Sequence, residues 1–178
     1  MSNWRPQFNV KRIALLAIFV SLAYVGRILF QFIPNVQPVT VIILIITLTT
    51  HTLDGLIVAV LSIILSNTLL GMGPWTLAQV VSYALLIAFT GVFIKRFYIP
   101  SNKYNRIFFA FYAFLIGLLY GFIISVISVK MYGINHFWAY YIRGLPFDLA
   151  HAIGNFIFYL LLEPVLSPLI KKYYPKNV

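Results

Sequence analysis

Residues 39–70, VTVIILIITLTTHTLDGLIVAVLSIILSNTLL, decide how this chain folds. They hold two apolar runs, 39–50 and 56–70, parted by the polar segment His51-Thr52-Leu53-Asp54-Gly55. Each run is nearer 15 residues than 20, or about 22 Å of helix. The polar break makes them two short helices of one bundle rather than one long span.

Outward from this pair the pattern repeats. On the N-terminal side, a short polar lead (Trp4, Arg5, Pro6, then Lys11 and Arg12) precedes an apolar stretch over 13–33, and Pro34 and Pro38 frame the loop PNVQP. No small-residue cleavage site follows that stretch, so it does not read as a signal peptide. On the C-terminal side, the loop Gly71-Met72-Gly73-Pro74-Trp75 leads into a span over 77–97. The polar loop YIPSNKYNR separates this from a span over 107–129. A last stretch, 137–169, contains Pro146, Pro164 and Pro168, which a membrane helix tolerates at the cost of kinks. The expected fold is an all-α integral membrane protein, a single bundle of six transmembrane helices occupying residues 1–178.

Composition agrees. Of 178 residues 62% are hydrophobic and 9% charged, with a mean hydropathy of +0.95. A soluble domain carries roughly 25% charged residues. These values exclude a soluble enzyme, a disordered chain and a nucleic-acid-binding domain. Six spans leave no room among these residues for a nucleotide-binding domain, so any ATPase must be a separate chain. There is no cysteine, hence no thiolate chemistry or disulfide. The glycine loop at 71–74 lacks the Gly-Lys-Ser/Thr of a phosphate loop, and there is no HExxH, GxSxG or paired acidic motif.

The net charge of +10 is explained by topology. With six spans, Arg5, Lys11, Arg12, Lys95, Arg96, Lys103, Arg106, Lys171, Lys172 and Lys176 fall on the side of the termini, leaving Arg27, Lys130 and Arg143 for the other. The excess of Lys and Arg in cytoplasmic loops puts both termini in the cytoplasm, and places Trp75 and Trp138 near the outer interface.

Polar residues at depth mark partners or cavities. Arg27 either snorkels to the outer interface or lines an outward-facing pocket. Asp148, His151 and Asn155, spaced by three and four, share one helix face that must meet protein or water. An internal ion pair of Asp148 with Arg27 or Arg143 is the alternative. With no second carboxylate or histidine nearby, neither a metal nor another cofactor is expected. Three outer stretches add Asn35, Gln37 and Thr40; Asn67, Trp75, Gln79 and Tyr83; and Asn135, His136, Trp138, Tyr141 and Arg143. Amides and aromatics converging on one end describe a small-molecule site. The cytoplasmic side offers no such groups. In the first span, Ala14, Ala17 and Ser21 form a small-residue row that serves either packing within the bundle or docking of another membrane subunit.

These features resemble the substrate-binding S component of an energy-coupling factor (ECF) vitamin transporter. The likeness covers size, six spans, basic cytoplasmic ends and polar-aromatic outer loops. Its most specific pieces are PNVQPVT and LSNTLLGMGPWTLAQ, with Ala17-x-x-x-Ser21 as a partial match to the family's small-residue motif. The resemblance implies a plasma-membrane subunit that binds a vitamin from outside without modifying it. It also implies association with an EcfT-like coupling subunit through Ala14, Ala17 and Ser21, and with two EcfA-like cytoplasmic ATPases. It further implies toppling in the membrane to deliver the substrate. The loops look most like the cobalamin and queuosine-precursor branch, so cobalamin leads, with pantothenate next. The expected binding residues are Arg27, Asn35, Gln37, Asn67, Trp75, Gln79, Tyr83, Trp138, Tyr141, Arg143, Asp148 and His151. Competing classes are a small intramembrane enzyme using Asp148 and His151, and a structural subunit without ligand.

Overall fold

A computed structural model describes residues 10–100 and 102–174, all helical or loop, with no strand among them. Six α-helices follow in order: α1 Val10–Leu29, α2 Val39–Thr49, α3 Thr52–Leu70, α4 Pro74–Phe89, α5 Lys103–Met131 and α6 Phe137–Tyr173. A π-helical turn (Thr90–Ile94) and a 3₁₀ turn (Lys95–Phe97) carry α4 onward. Five of the six helical stretches are long and apolar enough to cross a membrane. The expected span over 39–50 is the exception. At 11 residues, α2 is about 16 Å long, roughly half of a hydrocarbon core.

The reason for α2's length is its position. Every residue from Val39 to Leu48 is buried. α2 packs against each of the other five helices, most extensively α3 and α6. A helix that is apolar all round belongs in a protein interior. The threonines at its C-terminal end fit there because their hydroxyls donate to carbonyls one turn back, Thr47 to Ile43, Thr49 to Ile45 and the C-cap Thr50 to Ile46.

The break after α2 is also shorter than expected. Only Thr50 and His51 lie outside helix, and α3 begins at Thr52 rather than 56. His51 is the N-cap, and the Asp54 carboxylate accepts from the His51 backbone N–H at 3.4 Å. A carboxylate in the first turn also suits the positive end of the helix dipole. With 19 residues, α3 is a full span. By contrast α1 stops at Leu29, short of the expected 33, and the link to α2 is irregular, with Asn35 in the left-handed region at φ 58°. α6 runs unbroken through its three prolines.

Asp54 fixes the relative direction of the helices. Its Oδ1 accepts from Arg12 Nε (2.9 Å) and Nη2 (2.6 Å), and its Oδ2 from the Tyr174 hydroxyl (2.6 Å). The starts of α1 and α3 and the end of α6 therefore share one end of the bundle. Lys95 joins them by donating to the Thr50 carbonyl. Lys11, Arg12, Lys95, Arg96, Lys103, Arg106, Lys171 and Lys172 gather at this basic end, while Arg27, Lys130 and Arg143 lie toward the other. Arg5 and Lys176, with Trp4 and Pro6 of the polar lead, lie outside the described residues.

α5 and α6 form the most extensive helix pair. Gly117 and Gly121, one turn apart on α5, make that closeness possible. A Cβ on Gly117 would lie 2.7 Å from Ala152 Cα, and one on Gly121 would occupy the place of the Asp148 carboxyl group. Small residues at this spacing let membrane helices approach backbone to backbone.

Candidate functional site

A cavity of about 200 Å³ lies toward the end of the bundle opposite the basic cluster. Every helix contributes to it: Arg27 from α1, Val39 from α2, Ile63 from α3, Gln79 and Tyr83 from α4, Tyr120, Gly121 and Ile124 from α5, and Asp148 and His151 from α6. Asn35 and Gln37 come from the α1–α2 link. Because α2 is short, its N-terminus ends inside the bundle, and the cavity occupies the depth it leaves.

A directed hydrogen-bond chain fixes one wall. His151 Nδ1 lies 2.9 Å from the Asn35 carbonyl, and its Nε2 lies 3.1 Å from Thr40 Oγ1. The carbonyl can only accept, so Nδ1 carries the proton. In the neutral ring Nε2 must then accept from Thr40, and the Tyr83 hydroxyl, 2.7 Å from Thr40 Oγ1, donates to it. This ties the link, α2, α4 and α6 together. Tyr120 packs against both Tyr83 (ring centroids 4.7 Å) and His151 (5.4 Å). Asn35 Nδ2 also reaches the Phe147 carbonyl at 3.4 Å, and Val36 packs on Gly154, so the link lies pinned along α6.

Donors line the same cavity. Arg27 Nη1 donates to Ser66 Oγ at 2.6 Å, which anchors the guanidinium to α3 and leaves its other N–H groups toward the cavity. Gln79 Oε1 accepts from Asn67 Nδ2 at 2.7 Å, so the Gln79 amide turns its N–H₂ away from Asn67 and toward the Tyr120 hydroxyl. Asn67 itself is buried, also donating to Thr76 Oγ1 at 2.8 Å. Asp148, 8% exposed, lines the cavity as well, and its Oδ2 is buried without a hydrogen-bond partner. Among the described residues it forms no ion pair with Arg27 or Arg143; the two ion pairs found are Arg12–Asp54 and Arg106–Glu163.

A polar, largely preformed hole inside an otherwise apolar membrane bundle is what a carrier of small solutes requires. The family model "ECF transporter, substrate-specific component" matches residues 11–163. The chain belongs to that family. It is therefore a substrate-binding subunit for transport, a multi-pass membrane protein and not an enzyme. No curated protein and no solved structure matches it.

The cavity of this S component gathers Arg27, Asn35, Gln37, Gln79, Tyr83, Asp148 and His151 from the residues singled out in the sequence. Asn67 stands behind it and orients Gln79. Four others are not among the lining residues. Trp75 is 46% exposed and lies over Gly73, and Trp138 is 67% exposed and packs on Phe137 and Tyr141. Tyr141 stacks on Phe137, and Arg143 is exposed. They sit on the first turns of α4 and α6, toward the rim, where indole and phenol rings anchor a helix at the membrane interface. Tyr120, Gly121 and Ile124 lie in the middle of α5, where no charged or amide side chain marks the inward face. The Gly117-x-x-x-Gly121 spacing was the available signal.

The basic end has buried polar groups of its own. Arg12 and Asp54 are fully buried as a pair. Burial raises the pKa of the Tyr174 phenol, and its hydrogen bond to Asp54 adds to this, so it stays protonated as a donor. Glu163 accepts from Arg106 (2.7 Å) and from Tyr98 (2.9 Å), which also meets Ser167.

The small-residue row of α1 faces outward. Ala14, Ala17 and Ser21 are exposed, whereas Leu16, Phe19, Val20, Ala23 and Gly26 fill the inward face. Ser21 Oγ donates to the Ala17 carbonyl at 2.9 Å, so its hydroxyl needs no outside partner. Packing within the bundle is thus not what these residues serve.

Proposed function

We propose that this S component binds a small water-soluble micronutrient in the Arg27–Asp148 cavity from outside the cell and delivers it inward as part of an ATP-driven ECF importer. The carrying observation is a polar cavity within the bundle in which one buried carboxylate oxygen has no partner of its own. A buried charge left so costs several kcal/mol unless something pairs with it. A ligand is the natural partner. The whole chain serves as one six-helix unit, with both termini cytoplasmic. The clustering of lysine and arginine at the end holding Arg12 and Tyr174 supports that orientation.

The partners we propose are an EcfT-like coupling subunit and two EcfA-like ATPases. The outward row Ala14, Ala17 and Ser21 supports a coupling contact on α1, since exposed small residues let a second helix approach closely. As to substrate, ligand pockets for drug-sized molecules run about 300–1,000 Å³. Cobalamin exceeds such molecules, and a cavity of about 200 Å³ favours a compound the size of pantothenate or a queuosine-type base.

The test is calorimetric titration of the detergent-purified protein with cobalamin, pantothenate, queuine, riboflavin, thiamin, folate, biotin and pyridoxine. One saturable ligand, followed by its ATP-dependent uptake in liposomes containing the coupling subunits, is the expected result. A well-folded protein that binds none of them would remove the proposed site.

A further inference from the structure

The chain carries three acidic side chains. Asp54 and Glu163 are each matched by an arginine at the basic end. Asp148 is not, although Arg27 lines the same cavity. Arg27 is instead held to α3 through Ser66. Asp148 is held in place by space rather than by a partner, because its carboxyl fits against α5 only where Gly121 has no Cβ.

The neutral groups around the cavity reinforce this polarity. Gln79 turns its N–H₂ toward Tyr120 and the cavity both line, because Asn67 occupies its oxygen. His151 has both nitrogens engaged and Tyr83 has committed its proton to Thr40. The α1–α3–α4 side thus offers hydrogen-bond donors and positive charge, and the α6 side offers an anionic acceptor. Such a site is complementary to a molecule with the opposite arrangement.

Resting on the binding role proposed above, we infer that the cavity selects a small ligand bearing both a cationic nitrogen, seated on Asp148, and a carboxylate or carbonyl acceptor, seated on Arg27 and Gln79. A simple anion leaves the carboxylate of Asp148 without a counter-charge. A simple cation leaves Arg27 and Gln79 without an acceptor. Of the two substrate sizes the cavity accommodates, this favours an aminomethyl-bearing base over pantothenate.

The experiment titrates the intact protein and its Asp148→Asn and Arg27→Gln variants with six probes. 7-Aminomethyl-7-deazaguanine carries an amine and a carbonyl, and pyridoxamine an amine with a phenolate oxygen in the carbonyl's place. Pantothenate and biotin are anions, thiamin is a cation without such an acceptor, and riboflavin is neutral. Melting temperatures confirm that each variant folds. The expected result is saturable binding of an amine-bearing probe, weakened roughly ten- to hundredfold by either substitution. Asp148→Asn should at the same time admit pantothenate or biotin more readily than the wild type, a change of selectivity that a structural role would not produce. Tightest binding of an anion by the wild type, or an affinity for the bound probe that Asp148→Asn leaves unchanged, overturns the inference while leaving the S component's binding role intact. Saturation by none of the six probes, with cobalamin, queuine and folate also silent, removes the binding role and the inference together.

Discussion

Gly117 and Gly121 lie one helical turn apart on the same seam of α5, yet alanine at each should fail in a different way. At 117 a Cβ would stand 2.7 Å from Ala152 Cα and 2.9 Å from its backbone nitrogen. Backbone cannot step aside, so α5 and α6 must separate along their most extensive contact. Overpacking of this kind costs about 1–3 kcal/mol, only partly offset by the roughly 1 kcal/mol that alanine gains over glycine in a helix. At 121 the nearest atoms to the Cβ are those of the Asp148 carboxyl group, a side chain that can swing. It swings into the cavity and away from its present seat. Gly121→Ala should therefore keep the melting temperature near that of the wild type and lose binding, by about tenfold for each 1.4 kcal/mol of misplacement. Gly117→Ala should lower the melting temperature by a few degrees, at about 2–4 °C per kcal/mol for a chain of this size. Thermal unfolding in detergent and calorimetric titration with the bound probe read the two effects separately. If Gly121→Ala binds as tightly as the wild type, the carboxylate of Asp148 does not contact the ligand and the reasoning from the cavity fails.

Other outcomes follow from the same geometry. Asp54→Asn withdraws the charge that holds Arg12 inside the basic end and should destabilise the bundle by about 3–5 kcal/mol; an unchanged unfolding temperature would show that the pair is not buried as described. Ala17→Trp places a large side chain on the outward face of α1, so ligand binding should persist in the isolated subunit while ATP-dependent uptake in the assembled transporter is lost. Uptake at the wild-type rate would move the coupling contact elsewhere. Thr40→Val breaks the chain from Tyr83 to His151 and leaves buried groups unmatched, a loss of about 1–3 kcal/mol to be seen in thermal unfolding and in weaker binding. Trp138→Ala, at the rim and away from the cavity, should leave affinity unaltered in the same titration.

The basic end and the cavity divide the polar residues of the bundle between two tasks. At one end every acidic group is matched by an arginine and a tyrosine hydroxyl, which ties α1, α3 and α6 together and joins α5 to α6. At the other end polar groups are held by neighbours but keep a face toward empty space. A core filled by α2 separates the two. The carboxylates show why a residue type alone does not reveal its surroundings: Asp54 is paired with an arginine, and the Oδ2 of Asp148 has no partner.

From the sequence alone came the membrane class, the helix count, the polar break between α2 and α3, and most of the cavity-lining residues. Hydrophobic run length and the cost of polar groups in lipid are local properties, and they are written in order along the chain. What only the tertiary structure decided concerns neighbours. Residues 39–49 form an apolar helix whether it crosses lipid or is enclosed by five others, and only its burial on every side makes it the core. Ala14 and Ala17 are small residues in any reading, but the rotation of α1 turns them outward. Trp75 and Trp138 have the right chemistry for a pocket wall and the wrong position, while Tyr120 and Gly121 lie where no charged or amide side chain marks the inward face and reach the site only because α5 packs closely on α6. Which arginine meets which carboxylate is set by distances across the bundle, and no spacing along one strand of sequence contains them.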